Sequence, residues 1–285
     1  MRAARGLAHV PAPGLVLGGV VSLQCGAAVA TNLFPVVGVM GVVSLRLSFA
    51  AVLLMLWWRP GLRYDRRTWG LVLLVGSTLT AHHIAFFEAV DRVPLGVATS
   101  VEFLGPLAVA LVGSSRALDV LWALLAAVGV VALTGDDGNV TGSGLLFAAV
   151  AGVCWGVYIV VSATLVRRLG DSRGLALAMC WGAFLTLPYG VGQVGSALLS
   201  PGVLALGILV ALMSSVLSYS LQMEALRRMS RGLFGVLASL EPAVGALVGL
   251  LLLGQVLSAE QTLGVLAVVG ASLGATRTRN RRRIS

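Results

Sequence analysis

No lysine occurs anywhere in the 285-residue chain. A phosphate-binding loop of the GK[ST] type and a Schiff-base enzyme both need that amine, so neither an ATPase of that kind nor imine chemistry is encoded. Charge of either sign is scarce at 11% of residues, against about 25% in soluble domains, while 58% are hydrophobic. Cysteine is nearly absent: Cys25, Cys154 and Cys180 lie in apolar runs without C-x-x-C spacing. That excludes a zinc site or a disulfide framework and makes them small packing residues, with no metal or cofactor expected.

What charge there is has a pattern. The net charge of +9 would suit a nucleic-acid surface, but all twenty basic residues are arginines, almost all in short gaps between apolar runs. A membrane topology explains this placement, and no nucleic-acid partner is expected. About 20 apolar residues are needed per helical crossing, which divides the chain into ten spans. They are 13–31, 35–57, 69–89, 94–113, 118–134, 143–166, 174–195, 202–225, 232–253 and 259–276.

Alternate gaps hold 18 of the 20 arginines, while the other side carries only Arg92, beside Asp91, Asp136, Asp137 and Glu260. The positive-inside rule then makes both termini cytoplasmic. Arg2 and Arg5 ahead of an apolar stretch ending in Ala28-Val29-Ala30 resemble a cleavable signal peptide. Its loss would leave nine spans and spoil an internal repeat, so the segment reads as the first span.

That repeat aligns "EAVDRVPLGVATSVEFLGPLAVALVG" (88–113) without gaps on "EALRRMSRGLFGVLASLEPAVGALVG" (224–249), with 10 of 26 positions identical. The matches include Glu88/Glu224, Arg92/Arg228, Gly96/Gly232 and Pro106/Pro242. An offset of 136 residues sets span 9 on span 4, five spans per half. An odd number forces the second half to cross in the opposite direction, as in secondary transporters with a central site between inverted repeats. The expected fold is an all-α polytopic membrane protein of two inverted five-helix repeats, 1–137 and 138–285, the second ending in a short basic tail.

The segments "RVPLGVATSVEFLGPLAVALVGSSR" and "LASLEPAVGALVGLLLLGQVL", with ten spans in two halves, resemble the EamA-type drug/metabolite transporters. Within that superfamily they are most similar to the threonine and homoserine exporter subfamily of bacterial inner membranes. The resemblance covers essentially the whole chain and implies a 5+5 helical fold, cytoplasmic termini and export of amino acids or related metabolites. The stretch "AHHIAFFEAV" departs from the expected pattern by placing His82, His83 and Glu88 near the end of span 3.

Glu102 and Glu241 lie eight and nine residues inside spans 4 and 9, and Arg46 lies eleven from each end of span 2. At 1.5 Å per residue the glutamates are about 12–14 Å deep in a ~30 Å core, and Arg46 is at a similar depth. Isolated charges there cost at least ~2.5–3.5 kcal/mol each, so they require a partner or a wet cavity. Arg46 can receive a substrate carboxylate while the glutamates receive an ammonium group or a proton. The alternative is a structural ion pair between Arg46 and one glutamate, which still leaves the other carboxylate over.

Pro106 and Pro242 each free a carbonyl four residues earlier and break the helix beside these glutamates, though a simple packing kink explains them as well. Gln24, Trp155 and Tyr158 occupy corresponding parts of the two halves and are candidate path-lining residues, as is His83. Adjacent histidines point about 100° apart, so at most one of His82 and His83 faces the cavity, and an interhelical hydrogen bond explains either of them as well.

The segment "GASLG" (270–274) matches G-x-S-x-G around Ser272, but that elbow needs a strand, a turn and a helix, so no enzyme is expected. G-x-x-x-G packing explains it instead. The expected partners are a small-molecule substrate and the lipid bilayer, and a homodimer is compatible with the sequence. A broader drug or aromatic-metabolite exporter and a channel stay open beside an exporter of small amino acids.

Overall fold

The computed structural model describes residues 10–112, 117–133, 140–169, 173–229 and 231–281. Among the topological charges, Arg2, Arg5, Arg116, Asp136, Asp137, Arg282 and Arg283 lie outside them, as does the 137/138 repeat boundary. The described residues are helical throughout, with no strand. The helices are α1 (Ala12–Thr31), α2 (Phe34–Trp58), α3 (Arg66–Val90), α4 (Leu95–Glu102), α5 (Leu104–Leu111), α6 (Ala117–Leu133), α7 (Gly142–Leu169) and α8 (Arg173–Val194). There follow α9 (Pro201–Ala211), α10 (Ser218–Arg228), α11 (Arg231–Ala238), α12 (Glu241–Leu253) and α13 (Ala259–Arg281).

Among the described residues seven helical stretches are long and apolar enough to cross a membrane: 12–31, 34–58, 66–90, 142–169, 173–199, 201–228 and 233–253. Leu95–Val109 and Val120–Leu133 are shorter apolar helices. Large apolar side chains such as Leu56, Trp57, Val131 and Leu251 are exposed around the outside, which suits a lipid environment and would be an aggregation hazard in water.

Helix starts follow simple backbone chemistry. Proline occupies the first turn of α1, α2, α9 and α12, where its missing N–H costs no hydrogen bond. Asp65 caps α3, accepting from the Thr68 amide at 3.3 Å. Three interruptions cut the long runs: a turn at Phe103 between α4 and α5, one at Ser239 and Leu240 between α11 and α12, and a π-helical segment over Leu212–Leu217 between α9 and α10.

The most extensive packing joins α2 to α8, α3 to α7 and α6 to α13, followed by α3 to α8, α1 to α10 and α4 to α12. The α6–α13 pair is close enough that a Cβ on Gly129 would meet the Gly264 carbonyl oxygen at 2.9 Å, and one on Gly264 would meet that of Gly129 at 2.7 Å. The helix ends gather in two sets. In one, Arg168 binds Asp65 at 2.7 Å, and Arg228 reaches the Val10 carbonyl at 3.4 Å. In the other, Gln255 accepts from the Leu95 amide at 2.9 Å, and Thr141 donates to the Arg92 carbonyl at 3.4 Å.

Candidate functional site

Among the described residues the core between the helices is mainly apolar, with scattered buried hydroxyls and amides and one cluster of buried charges. Arg46 (3% exposed), Glu102 (4%) and Glu241 (7%) are all buried, on α2, at the last residue of α4 and at the first of α12. The interruptions set this geometry. Pro106 stops the carbonyl of Glu102 from being used within the helix, and that oxygen packs instead into the place a Cβ of Gly152 on α7 would take. In return a Cβ on Gly105 would run into the Gly152 carbonyl oxygen. Two glycines thus let α5 and α7 touch backbone to backbone directly beneath Glu102.

Each carboxylate has a polar partner from another helix. Gln24 of α1 donates through Nε2 to Glu241 Oε1 at 3.1 Å. His82 Nε2 meets Glu102 Oε1, and His82 Nδ1 is 2.9 Å from His83 Nδ1. Arg46 differs: no ion pair joins it to either glutamate among the described residues, and its buried Nε has no hydrogen-bond partner. Its guanidinium carbon stands 5.5 Å from the centre of the Phe87 ring. It remains within electrostatic range of Glu102 and Tyr219, and Glu241 within range of Glu102.

A guanidinium taken from water without a carboxylate partner is poised to bind an anion, because a bidentate carboxylate would supply both the charge and the missing acceptors. Aromatic rings wall the same region: Trp155 lies 5.7 Å from His82 and 5.7 Å from Phe103, and Phe86 stacks on His82 at 6.3 Å. An apolar cavity of about 380 Å³ opens between α5 and α6, lined by Leu104, Leu107, Leu111 and Ala126. It contains no ionisable side chain.

The comparisons with known proteins bear on this arrangement. Residues 142–277 match the EamA-like transporter family. The threonine/homoserine exporter RhtA of Salmonella typhimurium is 38% identical over 264 residues, covering 90% of this chain and 88% of that one. Its namesake from Escherichia coli K12 is 37% identical over 271 residues, covering 93% of this chain and 90% of that one. The chain belongs to the EamA-like transporter family. A crystal structure 20% identical in sequence superposes with a TM-score of 0.63, covering 95% of this chain and 99% of that one, which bears on the fold alone.

Membership in the EamA-like family and the apolar helices make the chain a multi-pass protein of the bacterial inner membrane, and its relatives are exporters rather than enzymes. Consistent with that, Ser272 of the G-x-S-x-G match sits buried inside α13, and a Cβ on Gly274 would press on the Trp122 ring at 2.5 Å. The sequence-selected residues fall into two groups. Arg46, Glu102, Glu241, Gln24, His83 and Trp155 meet in one neighbourhood, with Pro106 and Pro242 at its helix breaks. Tyr158 packs at the edge of this neighbourhood, against the cluster of Val72, Val75 and Leu165 and within electrostatic range of Tyr219.

Two polar groups of this EamA-like site escaped the sequence reading. His82, rather than His83, touches Glu102, and Tyr219, two residues past the π segment, is an electrostatic neighbour of Arg46 and Glu241. A tyrosine in an apolar span has no charge to mark it. Glu88 proves to be structural: it pairs with Arg92 at 2.5 Å, and its aligned counterpart Glu224 pairs with Arg228 at 2.5 Å.

Proposed function

We propose that this protein exports small amino acids of the threonine and homoserine type from the cytoplasm by alternating access, with protons as the counter-ion. The observation that carries the cargo class is the 37–38% identity, along about nine-tenths of the chain, to exporters named for those two amino acids. The site chemistry fits such a zwitterion. Arg46 receives the α-carboxylate, and Glu102 and Glu241 receive the α-ammonium or, in its absence, a proton.

Alternating access in this reading rests on ten crossings in two inverted halves, 1–137 and 138–285, with α4–α5, α9–α10 and α11–α12 each counted as one interrupted crossing. Packing supports it. Exchanging the halves maps the α2–α8 and α6–α13 pairs onto themselves and turns the α3–α7 pair into the α1–α10 pair. The Glu88–Arg92 and Glu224–Arg228 bridges are likewise equivalent. Cytoplasmic termini agree with the two sets of helix ends: Asp65 with Arg168 and Val10 with Arg228 are arginine-rich gaps, whereas Leu95 with Gln255 is arginine-poor.

The aromatic wall of Phe86, Phe103 and Trp155 favours one further reading, a cargo with a larger or aromatic side chain. Proteoliposomes loaded with unlabelled threonine and given external labelled threonine decide between them. Saturable, trans-stimulated exchange with threonine and homoserine supports the proposal, and exchange confined to aromatic amino acids supports the second reading. Flux without saturation would identify a channel.

A further inference from the structure

The His82–His83 pair is the one polar feature of the site for which an amino-acid carrier has no evident need. Two imidazoles at adjacent positions of one helix ordinarily diverge by about 100°. Here their Nδ1 atoms are 2.9 Å apart, His82 Nε2 meets Glu102, and His83 Nε2 is buried without a hydrogen-bond partner among the described residues. A nitrogen-to-nitrogen contact between imidazoles is a hydrogen bond only if one Nδ1 carries a proton and the other does not. That condition restricts the whole row.

In one arrangement His83 carries its proton on Nδ1 and donates to His82 Nδ1, and His82 Nε2–H donates to the Glu102 carboxylate, for a net charge of −1. In the other, His83 carries its proton on Nε2, its Nδ1 accepts from His82 Nδ1–H, and one further proton lies between His82 Nε2 and Glu102, for a net charge of zero. The two differ by one proton, and both contacts survive in each. A proton arriving at His83 Nε2 pushes the Nδ1 proton across to His82, and His82 passes its Nε2 proton to Glu102. Release runs in reverse.

The geometry points to His83, His82 and Glu102 as a one-proton relay that is the coupling site of the carrier, with His83 Nε2 as its entry atom. This rests on the exporter reading above and assigns its counter-ion a path. Of the helices packed on α3, α2 brings Arg46 to His83, α4 brings Glu102, α7 carries Tyr158 and Cys154, and α8 carries Cys180. Glu241 of α12 acts through Glu102, and Tyr219 of α10 through Arg46. Without its extra proton the row is an anion able to hold the ammonium group of cargo, and with it the row is neutral. Proton and ammonium are then alternative occupants, the mutual exclusion an antiporter requires.

The chain has only three histidines, so ¹⁵N-histidine NMR of the full-length protein in lipid nanodiscs reads each ring. As pH falls from 9 to 5 the expected result is a bridging Nδ1 proton that persists throughout while His83 switches from an Nδ1–H to an Nε2–H tautomer. His83→Gln removes the bridge and shifts the titration of His82. A single His83 tautomer across the range, or a bridge lost on titration, overturns the relay.

A second arm imposes a pH gradient on proteoliposomes. Wild-type protein accumulates labelled threonine more than fivefold, and His83→Gln falls to a ratio near one. A variant that keeps its gradient response refutes the coupling role. Wild-type protein that exchanges threonine but ignores the gradient refutes it as well and spares the exporter reading. If neither threonine nor homoserine moves, the exporter reading fails, and the NMR arm still decides the relay.

Discussion

Arg46 is buried to 3% exposure with no carboxylate bound to it among the described residues, an arrangement that costs stability and persists only where something else requires it. If it were a structural ion pair, removing it would cost about 3–5 kcal/mol by stranding its partner. Here neither carboxylate would be stranded, because Gln24 holds Glu241 and His82 holds Glu102. Arg46→Met is therefore expected to leave the melting temperature in detergent unchanged or higher while lowering threonine exchange more than tenfold. A large loss of stability would reassign Arg46 to a structural role. Gln24→Leu should behave oppositely, since it leaves a buried carboxylate without its donor, a loss of about 1–3 kcal/mol. Glu241→Gln in the same background should recover part of that loss in a thermal-shift double-mutant cycle. These positions were legible in the sequence because a charge or amide in an apolar span has few innocent explanations. His82 was not, because choosing between neighbours 100° apart needs the rotation of α3 about its axis, which its packing on α7 and α4 determines.

At the scale of elements, apolar length and arginine-marked gaps located the helices well, and the prolines foretold the breaks beside both glutamates. The π segment at Leu212–Leu217 had no such signal: an extra residue in a turn is a choice among hydrogen-bond registers, made by the packing of α1 through the Ser22 hydroxyl, which donates to the Met213 carbonyl at 2.7 Å. The contact that seats Glu102 was equally hidden, because G-x-x-x-G spacing does not reveal which backbone it meets. Gly152→Val should abolish it, since the added atoms would occupy the position of the Glu102 carbonyl oxygen. The expected outcome is loss of folded protein by size-exclusion chromatography. Gly70→Ala in exposed α3, where nothing lies within 4 Å, should instead be neutral or stabilising by about 0.5–1 kcal/mol. At the start of α3, outside the membrane, the Thr68 hydrogen bonds and then Arg168 hold the Asp65 carboxyl below its ordinary range. A carboxyl depressed in the folded state contributes stability above its unfolded value, and that contribution is lost as pH falls through the folded value. The stability difference between wild type and Asp65→Asn should therefore be constant at neutral pH and vanish only in acid. A difference that disappears near neutrality would argue against this cap.

For the whole molecule, the proposed alternating access requires the two halves to run oppositely, since that would let one site face either side by exchanging the conformations of its halves. An odd number of spans between Glu88 and its aligned counterpart Glu224 supports that proposal in the sequence, and the packing of α2 on α8 and of α6 on α13 is compatible with it. The proposal also fixes an orientation, with the arginine-rich gaps on the cytoplasmic side. Cysteines introduced at Arg63 and at Ser258, in a background with Cys25, Cys154 and Cys180 replaced, test it with a membrane-impermeant thiol reagent on intact cells. Ser258→Cys should label at once, and Arg63→Cys only after the membrane is opened. The reverse pattern would invert the molecule and overturn the proposed orientation. Labelling of both sites from outside would mean that the spans are miscounted between them, and the inverted repeat would fall with the count. The proposed alternating access also predicts that adding threonine to the cytoplasmic face alone changes the labelling rate at Ser258. This gap adjoins Gln255, which accepts from the first amide of α4, the helix that ends at Glu102. Occupancy of the central site should reach that gap through α4, with no requirement for threonine to bind outside.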